Sequence, residues 1–139
     1  MGVISRFIKG FVNPFVIINE CLKSKPFNPR DVIGEAAQVR LICNYIENEI
    51  DITEIGACAS FWLNRGAFVC AELKRRNPHI VAFSRGHGGD IYSERRGMRH
   101  FPLQHNALKR LDRVLPDSTA GVDYLSAKFP LLKEKIVVG

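Results

Sequence analysis

The first region of the chain carries apolar residues in a helical repeat. Between residues 4 and 16, large apolar side chains recur three and four positions apart, which places them on one face of a helix. Because a proline ring clashes with the preceding turn, Pro14 predicts a break into two short helices. The stripe contains the phenylalanines Phe7, Phe11 and Phe15, which we predict to contact a partner or a membrane surface.

Basic residues flank this stripe, at Arg6 and Lys9. A basic amphipathic segment can lie on an anionic membrane or dock into a partner's groove, although such a helix more often covers the core of its own domain. Residues 1–20 therefore predict a peripheral contact with a membrane or an assembly. We divide the chain into an amphipathic N-terminal segment, residues 1–25, and a single compact domain, residues 26–139.

The next two patterns predict long helices. One spans Val32 to Ile50, and the other is apolar almost all round, which is typical of a central, buried helix. A glycine inside a helix costs about 1 kcal/mol, so Gly56 favours a start of this central helix at Cys58. The predicted buried face of the first helix comprises Ala36, Val39, Leu41, Ile42, Tyr45, Ile46 and Ile50.

The second half of the chain predicts a small sheet followed by helices. Residues 80–83 have strand propensity, and a turn with three glycines separates them from residues 91–93, as in a hairpin. Residues 98–103 predict a third strand. Helices are then expected over residues 104–115 and 122–136, with a break in the second at Pro130. The predicted fold is α+β, with a helical N-terminal half, a small antiparallel sheet and C-terminal helices.

Composition gives the chain the character of an ordinary globular domain with an excess of positive charge. It has 139 residues, 46% of them hydrophobic, and a net charge of +6. No apolar run approaches the roughly 20 residues of a membrane span. The positive charge favours an acidic partner, either an acidic protein surface or nucleic acid.

The charges are unevenly distributed along the chain. Residues 31–54 hold one basic and six acidic residues, whereas residues 72–100 hold seven basic and three acidic ones. The two segments could pair with each other, be simply solvated, or leave the basic one for a partner. In the last case, the glycine-rich turn after residue 85 would help to bind an anion. The predicted anion-binding residues are Arg85, Arg95, Arg96 and Arg99.

The four cysteines indicate neither a metal site nor a disulfide framework. No Cys-x-x-Cys pair is present, and the four histidines are irregularly spaced, so we expect no metal and no cofactor. Cys43 and Cys70 fall in apolar helical patterns and are predicted to be buried thiols. A chain of this length with a good core does not need disulfides, which favours a reducing compartment and a cytoplasmic location.

Cys58 and His87 form the one pair with a plausible chemistry. A thiol at a helix N-terminus has a lowered pKa, and a histidine on a neighbouring strand could act as its base.

The residues Gly56-x-Cys58-x-x-Phe61 and His87-x-x-x-x-Tyr92 resemble motifs of the papain-like cysteine hydrolases, in their transglutaminase-like and NlpC-type branches. This resemblance implies a Cys58 nucleophile and a His87 base. Gln104, or else Asn106, would stand at the family's third position and orient the histidine. The chain differs from the family in lacking an acidic third residue and the acid that usually follows the nucleophile.

The sequence therefore supports two functional hypotheses. The first is a basic binding or assembly module that contacts an acidic partner or nucleic acid within an oligomer or a larger complex. The second is a cysteine hydrolase acting on an amide or peptide bond. Whether the protein is an enzyme stays open at this point.

Overall fold

A computed structural model describes residues 14–23, 29–98 and 101–139. The predicted contacts Phe7 and Phe11, the predicted anion-binding Arg99, and the N-terminal part of the apolar stripe lie outside these residues. The α-helices are α1 (Pro14–Lys23), α2 (Pro29–Glu49), α3 (Arg65–Arg76), α4 (Gly88–Ile91), α5 (Gln104–Arg110) and α6 (Thr119–Lys128). Short 3-10 helices span Ile52–Glu54, Ser93–Arg96 and Pro130–Lys135.

Three strands form one parallel sheet in the order β1-β2-β3. They are β1 (Ala57–Ser60), β2 (Val81–Gly86) and β3 (Arg113–Pro116). Ser60 is the register partner of Ser84, and Gly86 is the register partner of Pro116. The last residues of the chain continue the sheet beside β3, where Ile136 bridges Val114 in parallel.

The prediction of an antiparallel sheet is wrong. Parallel neighbours need a long crossover, and here α3 connects β1 to β2 while α5 precedes β3. Residues 88–91 form the single turn of α4, so the glycine-rich turn does not return the chain as a hairpin. The described part of the predicted third strand, Met98 and residues 101–103, contains no strand.

The core lies between one face of the sheet and helices α3 and α5. Alternate strand residues are buried on this face, among them Ala82 and Val114. Helix α3 packs against β1, β2, α2 and α5, so the prediction of a central, buried helix is confirmed from Arg65 onward. Helix α1 packs on the outside, against α2 and α5.

Several predicted boundaries and burial assignments need correction. The chain expected to be one helix over residues 104–115 divides into α5 and β3, because Asp112 and the residues after it are hydrogen-bonded to β2. The last predicted helix begins earlier, at Thr119, whereas its predicted break at Pro130 is confirmed, since α6 ends at Lys128 and a 3-10 helix follows. Within α2, the predicted buried face is only partly buried. Leu41, Ile42, Tyr45 and Ile50 are exposed.

Candidate functional site at the carboxyl edge of the sheet

The loops that follow the three strands meet at one edge of the sheet. β1 is followed by Phe61 and Trp62, β2 by His87, and β3 by the turn that starts α6 at Ser118. In an open parallel sheet, ligands bind outside the carboxyl ends of the strands, because neighbouring loops leave a crevice there. We call the loops after β1, β2 and β3 the carboxyl edge.

Asp90 joins the first two of these loops. Its Oδ1 accepts a hydrogen bond of 2.6 Å from the His87 backbone N–H, and its Oδ2 accepts one of 2.6 Å from the Leu63 backbone N–H. Burial raises the pKa of the Asp90 carboxyl above its ordinary value, although these two donors oppose the rise. Asp90 therefore holds the loop after β1 and the loop after β2 together.

The turn after β1 is also held by side chains of the strands. The Ser60 hydroxyl donates to the backbone carbonyl of Trp62 at 2.6 Å. The single proton of the Ser84 hydroxyl is shared between the Trp62 carbonyl at 3.2 Å and the Arg85 carbonyl at 2.8 Å. Ser60 and Ser84 are register partners, so adjacent strands position the same peptide group. This arrangement turns Phe61 and Trp62 outward, and both side chains are exposed.

Three aromatic rings gather at this edge. The His87 ring lies 4.8 Å from the Phe61 ring and 4.4 Å from the Trp62 ring, measured between centroids, and Phe61 and Trp62 meet edge to face at 5.6 Å. Large exposed aromatic side chains in contact with one another are typical of binding surfaces. We call Phe61, Trp62 and His87 the aromatic cluster.

Arg85 lies beside the aromatic cluster, and Arg95 and Arg96 lie on the 3-10 helix that follows α4. The Arg85 guanidinium lies 5.8 Å from the centroid of the Phe61 ring, and Arg95 Nη1 lies 3.5 Å from the place where Gly88 would carry a Cβ. Arg95 and Arg96 also stack on Tyr92 and Phe101. Within the described part of the chain, these three arginines form no ion pair. Arg85 Nη2 donates to the Gly139 backbone carbonyl at 3.4 Å, and no side-chain carboxylate of the described residues lies at ion-pair distance from the three guanidinium groups.

A cleft of about 420 Å³ lies next to the loops that Asp90 joins. Its walls come from the start of α2, from the loops after β1 and β2, and from the segment around Phe101. The polar groups on these walls are both acidic and basic, and Glu35 pairs with Arg65 at 2.8 Å across them. The polar lining residues are Asp31, Glu35, Asn64, Arg65, Asp90 and Arg96.

Buried polar atoms without a partner concentrate around the same edge. Arg85 Nε, His87 Nδ1 and Gln104 Oε1 are buried and have no hydrogen-bond partner among the described residues. Gln104 is fully buried and uses its amide nitrogen to donate to the Asp90 backbone carbonyl at 3.2 Å. A buried polar group with an unused hydrogen bond costs about 1–3 kcal/mol, so a cluster of such groups points to function.

The structure does not bring all predicted catalytic residues together. His87 and Gln104 both contact Asp90, whereas Cys58 is the register partner of Ala82, five residues before His87. At about 3.3 Å per strand residue, this offset corresponds to about 16 Å along the strand. The cysteine-hydrolase interpretation stays a prediction, with no contact between Cys58 and His87 among the described residues.

Cys58 also lies on a different element from the one predicted. It is on strand β1 and not at a helix N-terminus, and its thiol donates to the Cys70 backbone carbonyl at 3.8 Å. A hydrogen bond with the Cys70 side chain lowers the pKa of Cys58, and the same bond, together with burial, raises the pKa of Cys70. The predictions that Cys43 and Cys70 are buried are confirmed, and burial raises the pKa of Cys43 to about 12.

The charge pattern is resolved in part. Acidic α2 pairs with α3, through Glu35 to Arg65 and Glu47 to Arg76, both at 2.8 Å. Arg85, Arg95 and Arg96 take no part in this pairing. The basic segment thus divides into residues that stabilise the fold and residues that form no ion pair within the described part of the chain.

Sequence reasoning missed Phe61, Trp62 and Asp90 as site residues. Phe61 and Trp62 were placed within a buried helix, although the polar residues Ser60 and Asn64 on either side of them signal a turn. Asn64 in fact caps α3, where its side chain accepts from the Gly66 backbone N–H. Asp90 contacts the loops after β1 and β2 because the parallel sheet places both loops at the same edge.

Comparisons of this chain with protein-family models, with curated proteins and with solved structures gave no match. Among residues 14–23, 29–98 and 101–139, there is no group of three His, Cys, Asp or Glu side chains that could hold a metal ion. None of the helices in these ranges has the length and hydropathy that crossing a bilayer requires. The function is therefore argued from the carboxyl edge itself.

Proposed function

We propose that this domain binds a nucleoside phosphate, free or as part of a nucleic acid strand, at the carboxyl edge of its parallel sheet. The observation that carries the proposal is the exposed aromatic cluster with Arg85 and Arg95 beside it. An aromatic surface next to unpaired cations suits a ligand that has both a flat ring and a negative charge.

The ring of a nucleobase fits the aromatic cluster. Stacking of a base on an aromatic side chain contributes about 1–3 kcal/mol and tolerates any base, because each has a flat π-face. Phe61 and Trp62 offer exposed rings, and His87 braces them from the next loop. A ligand without such a ring would leave this apolar surface in water.

The phosphate is matched by the guanidinium groups. Arginine binds phosphate through paired N–H donors, and such charge-assisted bonds are about twice as strong as neutral ones. Arg95 and Arg85 lie on opposite sides of His87 in sequence, and α6 begins at the same edge with its partially positive N-terminus. The neighbouring cleft, with Asn64 and Asp90 on its walls, offers partners for ligand hydroxyl groups.

We also propose that the domain works in the reducing cytoplasm. Cys43, Cys58 and Cys70 are free thiols, and two of them are buried. Proteins of oxidising compartments more often pair their cysteines in disulfides.

Trp62 makes the binding proposal directly testable, because it is the only tryptophan of the chain. Its fluorescence should change saturably with uridine or adenosine diphosphate, and much less with inorganic phosphate. A short oligothymidylate that binds more tightly than the free nucleotides would identify a strand as the source. Polyglutamate tests the alternative that the domain binds an acidic protein surface, and we expect no saturable fluorescence response to it.

Matched arginine variants separate specific binding from net charge. Arg95→Ala should weaken nucleotide binding about tenfold, the equivalent of about 1.4 kcal/mol. Arg113→Ala removes an exposed arginine from the opposite edge of the sheet and should have no effect. Equal effects of both variants, or no saturable response to any nucleotide, would contradict the proposal.

A further inference from the structure

Three apolar side chains of helix α1 are exposed, whereas its acidic side chain is buried. Phe15, Ile18 and Leu22 are 77%, 55% and 63% exposed, and Glu20 is 2% exposed. The outer face of a helix that only covers the core of its own domain carries mainly polar side chains, and these three positions depart from that pattern. Glu20 points toward α5, where its Oε1 lies 3.7 Å from His105 Nδ1.

The sequence of residues 1–30, which includes α1, has an excess of basic residues. Residues 1–30 contain five basic residues and one acidic residue, and the acidic one is the inward-facing Glu20. Arg30, at the start of α2, is exposed. Arg6, Lys9 and Lys25 lie outside the described residues and enter the argument only by their charge. Glu20, the one acidic residue of residues 1–30, is therefore not exposed at the surface.

We propose that α1 lies on an anionic lipid surface, with Phe15, Ile18 and Leu22 in the boundary between headgroups and acyl chains. An amphipathic helix accompanied by basic residues binds an anionic membrane by burying apolar area and by electrostatic attraction to anionic lipids. The contact is peripheral, since the described helices include none that could span a bilayer. It does not rest on the nucleotide proposal, because none of these residues belongs to the carboxyl edge.

Charge and size favour a membrane over a second copy of the chain. Two copies that met through this face would bring basic regions together with no exposed acidic residue of residues 1–30 between them, and like charges disfavour association. The ten residues of α1 span about 15 Å, which is short for an interface that needs about 800 Å² on each partner. A lipid surface requires neither an acidic patch nor a matching protein shape.

The test is cosedimentation of the full chain with vesicles of phosphatidylcholine alone or with phosphatidylglycerol added. We expect binding to the anionic vesicles, weaker binding at high salt, and little binding to phosphatidylcholine alone. Leu22→Asn and Ile18→Asn should each weaken binding to the anionic vesicles about tenfold. Leu131→Asn, at a leucine that is 95% exposed on the last 3-10 helix, is the matched control and should bind as the unmodified chain does.

The controls exclude the competing explanations. Circular dichroism should show that the three variants fold like the unmodified chain, since every altered side chain is exposed. The proposal is overturned if the unmodified chain does not bind anionic vesicles, if it binds neutral vesicles equally well, or if Leu131→Asn weakens binding as much as Leu22→Asn. Light scattering that shows Leu22→Asn to dissociate a dimer, with vesicle binding unchanged, would assign the face to self-association and also overturn it.

Discussion

The polar groups at the two ends of the parallel sheet differ in how completely they are hydrogen-bonded. At the amino end, Asp112 Oδ2 accepts hydrogen bonds of 2.8 Å from the Ala82 backbone N–H and from Lys74 Nζ, and Lys74 donates again to the Ile80 carbonyl. At the carboxyl end, Arg85 Nε, His87 Nδ1 and Gln104 Oε1 are buried with no such partner among the described residues. The amino end is satisfied by the protein alone, and the carboxyl end is not.

The network behind the amino end extends this contrast. Arg76 donates to Glu72, Glu47 and Asn44, and Asn77 donates to Glu47, so that α2 and α3 are tied together. Groups satisfied in this way stabilise a fold. We propose that the groups at the carboxyl end that have no hydrogen-bond partner among the described residues are available to a ligand. The difference between the ends is our main reason for placing function at the carboxyl edge.

The largest loss of stability should follow removal of Arg76. Its side chain is 6% exposed, and Arg76→Ala would leave Glu72 and Glu47 without the cation that they share, so we expect a loss of about 3 kcal/mol. Arg75 is the matched control, because it also pairs with Glu72 but is 42% exposed. Arg75→Ala should cost less than about 1 kcal/mol. Urea unfolding followed by circular dichroism measures both, and equal losses would contradict the assigned network.

A smaller loss is expected from Asp90→Asn. The amide nitrogen of asparagine cannot accept a hydrogen bond, so either the His87 or the Leu63 backbone N–H loses its acceptor, at a cost of about 2 kcal/mol. Nucleotide affinity should fall as well, because Asp90 joins the loops after β1 and β2. Asp117→Asn changes an exposed carboxyl at the same edge and should stay within about 0.5 kcal/mol of the unmodified chain. Unchanged stability of Asp90→Asn would show that the loops do not depend on it.

The same unfolding measurement across pH should separate Asp112 from Asp90. Partial burial raises the pKa of Asp112, but the hydrogen bonds from Lys74 and from the Ala82 backbone N–H, together with the positive charge of Lys74, outweigh this effect, and the pKa is lower than usual in the folded protein. Ionised Asp112 therefore stabilises the fold above the ordinary carboxyl pKa, and this stabilisation is lost as pH falls through the pKa of the folded state. Burial raises the pKa of Asp90, so its contribution to stability increases as pH falls through its folded value.

Acidification should therefore narrow the stability gap between the unmodified chain and Asp112→Asn. It should widen the gap between the unmodified chain and Asp90→Asn, in favour of the unmodified chain. Gaps that move in the same direction for both variants would contradict the assignment of opposite environments to the two carboxyls.

The main effect of Trp62→Ala is expected on binding rather than on stability. Trp62 is 46% exposed, so its removal should cost about 2 kcal/mol or less, yet calorimetry should show nucleotide affinity reduced about tenfold. Val81→Ala is the control, since Val81 is 50% exposed at the amino end of β2 and its removal should leave affinity unchanged. A large loss of stability with normal affinity would make Trp62 a structural residue.

The sequence predicted the long elements better than the sheet. The helix expected over residues 32–50 is α2, and the strand expected over residues 80–83 is the start of β2, because both carry clear periodicity. β1 consists of small residues that fit a buried helix as well as a strand. Its direction relative to β2 is a tertiary property that local propensity does not contain.

The candidate site was predicted in pieces. The charge of the basic segment predicts the three described arginines, and the pairing with Cys58 predicts His87, but the glycines around His87 predict a hairpin that the structure does not contain. Gly86 is needed for a different reason, since a Cβ there would lie 3.1 Å from Ile91. Phe61 and Trp62 could not be placed at the surface while β1 was taken for the start of a helix.

The most direct test of the carboxyl edge is amide chemical-shift mapping by NMR, with the full chain titrated with uridine diphosphate. If the nucleotide binds at the carboxyl edge, we expect the largest shifts within residues 60–63, 86–91 and 117–121, which are the loops after the three strands. Residues 52–56, 77–80 and 110–113, at the amino end, should shift little. Shifts centred on the amino end, or spread evenly over the basic surface, would contradict binding at the carboxyl edge.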